Sequence, residues 1–184
     1  MKINFFEDYF KSINEIVNET ESIRLAQIAD LIISGSKANK KVILVGNGGS
    51  AAMASHVAVD FTKAAKIRAV NFNEADLITC FANDYGYDQW VVEALKAYAD
   101  AGDIVIFISS SGKSANIING AIYAKVAGLK SVSLSGFDSN NSLRNLGDIE
   151  LWANSKNYNF VEMTHHIWLL SIVDYIIEKS ILNN

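Results

Sequence analysis

The chain has 184 residues, half of them hydrophobic and 20% charged, with a net charge of −4. That length predicts one domain, on a prior of roughly 100–200 residues per domain, and the mild acidity argues against nucleic-acid binding, which usually shows a basic face. Lys, Asp or Asn interrupts each apolar run, so no membrane span is expected. The first eight residues, already acidic at Glu7 and Asp8, do not read as a signal peptide. Cys80 is the single cysteine, which excludes an intrachain disulfide and fits a reducing, cytoplasmic compartment. Proline is absent, and neither a linker nor an internal repeat divides the chain.

In chain order, residues 3–37 read as helix, with apolar positions such as Ile13, Ile16, Val17, Ile28, Leu31 and Ile32 at roughly helical spacing. A helical hairpin broken near Asn18–Ser22 fits the same pattern equally well. Lys41–Val45 is a short continuous apolar run closed by Gly46, the mark of a strand buried on both faces. Ser50–Lys63 reads as helix, 67–72 as a second strand, and Glu74–Phe81 and Tyr87–Ala99 as helices. Asp103–Ile108 is another buried strand, followed by a helix to about Ala127. Ser131–Leu134 and Ile149–Trp152 are further strands, and 160–181 close the chain as an apolar helix. Strands alternating with helices predict βαβ units and an α/β, three-layer, doubly wound parallel sheet. The expectation is a single domain over 1–184, with a helical segment at 1–38 preceding the α/β core at 39–184.

Ligands of such sheets bind at the carboxyl ends of the strands. Two strands here end in small polar loops that open helices: Gly46-Asn47-Gly48-Gly49-Ser50 and Ser109-Ser110-Ser111-Gly112-Lys113-Ser114. Glycine lets the backbone approach an anion, the helix N-terminus offers free N–H groups, and serine hydroxyls add compact donors. One cap needs one serine, so the cluster at 109–114 exceeds what helix capping requires. Neither loop is a Walker loop or a G-x-G-x-x-G dinucleotide fingerprint. A bound phosphate group is the expected ligand.

Carboxylates and imidazoles also recur at helical spacing. His56 and Asp60 are four apart in the helix after the first loop and share a face. On the last helix Glu162 can share a face with His165 or with His166, a spacing that can ligate one metal. Trp168 and Trp90 read as packing residues and Cys80 as a small buried hydrophobe.

Taken together, Gly46–Ala52, Ala82-Asn83-Asp84-Tyr85-Gly86, Gly102-Asp103 through Ile108–Ser114, and Leu134-Ser135-Gly136 resemble the sugar isomerase (SIS) domain family, and within it the phosphoheptose isomerases. The likeness spans nearly the whole chain. It implies a flavodoxin-like fold, a homotetramer with sites at subunit interfaces, and an aldose–ketose isomerase acting on a sugar phosphate for surface-polysaccharide precursors. It implies that Gly48, Gly49, Ser50, Ser109, Ser110, Ser111 and Ser114 hold the phosphate and that Asn47 and Asp84 contact the sugar. It implies a zinc near the site, with His56, Asp60, Glu162 and His165 as its ligands, and proton transfer by Asp60 with His165 or His166. Three departures stand out. Asp60 occupies the place of a glutamate, and the catalytic histidine expected five residues after the first one is replaced by Leu170 or Ser171. An arginine expected near Lys63-Ala64 is also absent, leaving Lys63 or Lys66 as the nearest cations. These departures leave a second reading open, a non-catalytic SIS module that binds a sugar phosphate or a protein partner.

Overall fold

The computed structural model describes residues 4–182. Two helices come first, α1 (Phe5–Asn18) and α2 (Ser22–Lys37). The N-terminal pattern is therefore a hairpin rather than one rod; residue 3, where the helical reading begins, lies outside the described residues. The core then runs β1 (Val42–Gly46), α3 (Gly49–Lys63), β2 (Ala69–Asn71), α4 (Ala75–Tyr85), α5 (Trp90–Tyr98), β3 (Ile104–Ser109), α6 (Ala115–Val126), β4 (Lys130–Ser135), β5 (Ile149–Trp152) and α7 (Tyr158–Leu182).

All five strands are parallel, in the order β2-β1-β3-β4-β5. That is the flavodoxin-like order, with its switch point between β1 and β3. The strands' period of two divides the apolar residues between two cores. Val42 and Leu44 of β1 and Ile104, Ile106 and Ile108 of β3 face the layer made by α1, α2, α3 and α7. Ile43, Val45, Val105 and Phe107 face the layer made by α5 and α6, with Trp90, Leu95 and Ile117. Three layers result, as the alternation of elements predicts.

The N-terminal hairpin docks on α7. The indole N–H of Trp168 donates to the carbonyl of Val17 at 3.0 Å, and Tyr9 meets Phe160 edge to face at 4.8 Å. Trp168 and Trp90 are both core residues, each 1% exposed. One premise, that every apolar run is interrupted, and one expectation, that Cys80 is buried, are corrected. Helix α7 has 25 residues and is apolar enough by composition to cross a membrane. It packs instead among α1, α2 and α3, and burial of Val161, Trp168, Leu169, Ile172, Val173 and Ile176 accounts for its apolar character. Cys80 is exposed rather than buried, because α4 is a surface helix with no fully buried residue.

Candidate active site

Helices α3 and α6 leave adjacent strands at the switch point and pack on opposite faces of the sheet. A crevice of about 130 Å³ opens between their N-termini, lined by Asn47, Ser50, Ile108, Ser109, Ser110, Ser111, Ser114, Tyr158 and Glu162. The two loops are brought together as the sequence predicts.

Local chemistry fixes their shape. Gly48 has φ 53° at the N-terminus of α3, a conformation that costs a side chain dearly. A Cβ on Gly49 would collide with the Glu162 carboxylate. Gly112 takes φ 63° in the second loop and leans on Asn141. The buried Asn141 amide in turn donates to Ser135 Oγ and to the Gly136 carbonyl, both at 3.1 Å. Within the loop Ser109 Oγ donates to Ser114 Oγ at 3.1 Å, and Ser111 Oγ accepts from the Lys113 amide at 3.2 Å. Ser110 Oγ is buried without a partner among the described residues. A buried hydroxyl left unpaired costs about 1–3 kcal/mol, and here it lines a cavity where an anionic oxygen would restore the bond. No lysine or arginine lines this crevice. Lys113 turns outward to Asp138 at 2.7 Å, which holds the Asp138 carboxyl below its ordinary range. The donors that line the crevice are neutral hydroxyls, an amide and helix ends, beside the one carboxylate of Glu162.

A second cluster lies further along α3 and α7. His56 Nδ1 is 3.0 Å from His166 Nε2, and His56 Nε2 is 3.3 Å from Asp60 Oδ2. Burial, and then the nearby His56, lower the pKa of His166, against a smaller upward pull from Asp60, so its imidazole is neutral at pH 7. His165 points the other way. It is fully buried, its Nε2 lies 2.9 Å from the Ser135 carbonyl, and burial pushes its pKa down to about 4. Of the two adjacent histidines, His166 faces His56 and His165 belongs to the core; residues 100° apart on a helix cannot share one face.

Three other expected residues lie apart from the crevice within this chain. Asp84 lies in the last turn of α4, where its carboxylate meets Asn83 and Cys80, and does not line the cavity. Lys63 ends α3, about 20 Å along the axis from Gly49. Lys66 follows it, with φ 58° in the turn toward β2. Tyr158, Asn116 and Tyr87 were not singled out by sequence. Tyr158 begins α7 two residues before the predicted start. Asn116 and Tyr87 carry no motif of their own.

A family model described as "SIS domain" matches residues 5–136. The phosphoheptose isomerase of Sulfurimonas denitrificans is 33% identical over 180 residues, covering 94% of this chain and 91% of the relative. That of Fusobacterium nucleatum is 34% identical over 175 residues, covering 92% and 88%. Among solved structures, a phosphoheptose isomerase from Francisella tularensis superposes with a TM-score of 0.88 at 26% identity, covering 97% of this chain and 99% of that one. One from Neisseria gonorrhoeae gives 0.84 at 26%, covering 93% and 94%. The chain belongs to the SIS domain family and, within it, to the phosphoheptose isomerases. The flavodoxin-like α/β architecture with a helical N-terminus is the fold of those structures.

Proposed function

We propose that this chain is an aldose–ketose isomerase that converts sedoheptulose 7-phosphate to D-glycero-D-manno-heptose 7-phosphate, or a related heptose phosphate, for lipopolysaccharide or capsule precursors. The observation that carries the reading is the spacing of two chemistries on the same two helices. Ser50 and Glu162 line the anion crevice. His56 lies six residues along α3 from Ser50, and His166 four along α7 from Glu162, rises of about 9 and 6 Å. A heptulose 7-phosphate carries its reacting C1–C2 unit seven to eight bonds from phosphorus, on the order of 9–10 Å away when extended.

In this reading the serines and the N-termini of α3 and α6 hold the phosphate. Asp60 keeps the proton of His56 on Nε2, so Nδ1 accepts from His166 Nε2–H and His166 Nδ1 is left as a free base. One proton leaves C1 and returns to C2 through that base. The O1 proton ends on O2, while Glu162, which lines the anion crevice, lies at the phosphate end and is not assigned this transfer. Asp60, expected as the base itself, acts through His56. His165 supports the site from the core.

The zinc implied by the resemblance meets a geometric obstacle. Imidazole and carboxylate are suitable donors, but Asp60 and His166 engage different nitrogens of His56 and so do not converge on one point. Among the described residues no group of three or more His, Cys, Asp or Glu gathers as a metal requires. Zinc dependence would need His56 to turn one nitrogen away from its present partner. A homo-oligomer, of four subunits by the resemblance, is supported by the exposed aromatic residues Phe5, Phe6 and Phe10 of α1. A cytoplasmic location is in keeping with the lone, exposed Cys80.

A mass-resolved assay with sedoheptulose 7-phosphate, run with a chelator and with added zinc, tests the proposal. Formation of an aldoheptose phosphate supports it, and the two arms decide the zinc question. Leu170, one turn beyond His166 on the same side of α7, favours the second reading, a binder without turnover. That reading wins if the ligand stabilises the protein but is returned unchanged.

A further inference from the structure

Asn116 sits in the first turn of α6, 2% exposed, and its amide faces that of Asn47 in the first loop. The two side chains form a reciprocal pair. Asn47 Nδ2 donates to Asn116 Oδ1 at 3.0 Å, and Asn116 Nδ2 donates to Asn47 Oδ1 at 2.9 Å. Tyr87, in the turn between α4 and α5, donates its hydroxyl to the same Asn47 oxygen at 3.2 Å. One helical turn past Asn116, Asn119 Nδ2 donates to the Asp88 carbonyl at 2.9 Å and ties that turn to α6. Three segments meet at one side chain: the loop after β1, the start of α6, and the α4–α5 turn.

The hydrogen-bond count gives this junction a chemical consequence. Asn47 Oδ1 accepts twice, so both of its lone-pair positions are used. Asn47 Nδ2 spends one N–H on Asn116 and keeps the other. Asn47 lines the crevice. We infer that Asn116 is a positioning residue: with Tyr87 it fixes the Asn47 amide so that Asn47 presents a hydrogen-bond donor, and not an acceptor, to an oxygen of the bound sugar phosphate. The inference deepens the isomerase reading and rests on the same pocket. The hydrogen bonds within the serine loop do not involve this pair.

The test is a double-mutant cycle on the full chain with two ligands. Asn116→Ala is expected to weaken binding of sedoheptulose 7-phosphate about tenfold, the range for one oriented buried hydrogen bond, while the Kd for inorganic phosphate stays within about twofold. In an Asn47→Ala background the same Asn116 change is expected to have no further effect on the sugar phosphate, because its partner is gone. Tyr87→Phe, which removes one hydroxyl from a half-exposed site, gives a smaller change in the same direction and serves if Asn116→Ala fails to fold. Equal weakening for both ligands, or additive losses in the cycle, overturns the inference and leaves Asn116 as general support. Binding is read directly, so the result stands whether or not the wild-type chain turns the sugar over, and absence of turnover counts against the isomerase reading alone.

Discussion

The two parts of the candidate site are built by different means. The anion end is made of backbone and short side chains whose geometry follows from local sequence: glycines at positive φ, serines at strand ends, helix N-termini. Apart from Tyr158 and Glu162 of α7, its parts come from two short loops that need only the β1–β3 pairing to meet. The proposed proton-transfer cluster is made of long side chains from α3 and α7, separated by 110 residues, and depends on the rotation of each helix. The first kind of site tolerates drift in the rest of the chain. The second can shift its donor by a turn, and here the imidazole stands at His166 while Leu170 lies beyond it. The contrast teaches that a phosphate loop identifies a family more securely than it identifies the acid and base.

Substitutions can break or sharpen that contrast. The largest effect is expected from His166→Ala: a fall in kcat of about 10²–10⁴, the usual worth of a general acid–base group, with little change in KM. A change confined to KM would place His166 in binding. Its activity should persist below pH 6.5 and then fall on the acid side, since its depressed pKa keeps the neutral form. Next comes the pH dependence of stability set by His165. Its pKa is about 4 when folded, against 6.5 as the ordinary value. As pH falls the unfolded chain takes up the proton first, so stability is lost between about pH 6.5 and 4. The loss is about 3 kcal/mol, to be read by denaturant unfolding. His165→Phe should flatten that slope. Smaller still is Ser110→Ala, which should raise KM for the sugar phosphate roughly tenfold and leave kcat nearly unchanged. An unchanged KM would mean that the unpaired hydroxyl does not meet the ligand.

Much of this was legible beforehand for physical reasons. Lys41–Val45 and Asp103–Ile108 are continuous apolar runs, which only two-sided burial explains, and the observed strands lie within one residue of them. The hairpin of α1 and α2 stayed ambiguous because its break, Glu19–Glu21, holds neither glycine nor proline, and Glu21 makes no side-chain cap. The Ala82–Tyr85 motif reads as a loop but completes α4, which ends only where Gly86 takes φ 89°. The histidine pair could not be resolved because α7 is apolar around much of its circumference, so no polar stripe marks which side faces α3. Packing of Trp168 under Val17 sets that rotation, and it lies 151 residues away in sequence. Asn116 and Tyr87 carry no signal alone; their meaning comes from meeting Asn47.

The measurement that bears most directly on the account is solvent-hydrogen exchange into sedoheptulose 7-phosphate, compared between the wild-type chain and His166→Ala in deuterated water. Proton transfer through His166 predicts deuterium at C1 of recovered ketose or at C2 of the aldose with the wild type, and loss of that label with the variant, while both proteins bind the sugar phosphate equally. Equal labelling by the two proteins would contradict the assignment of proton transfer to the His56–His166 cluster.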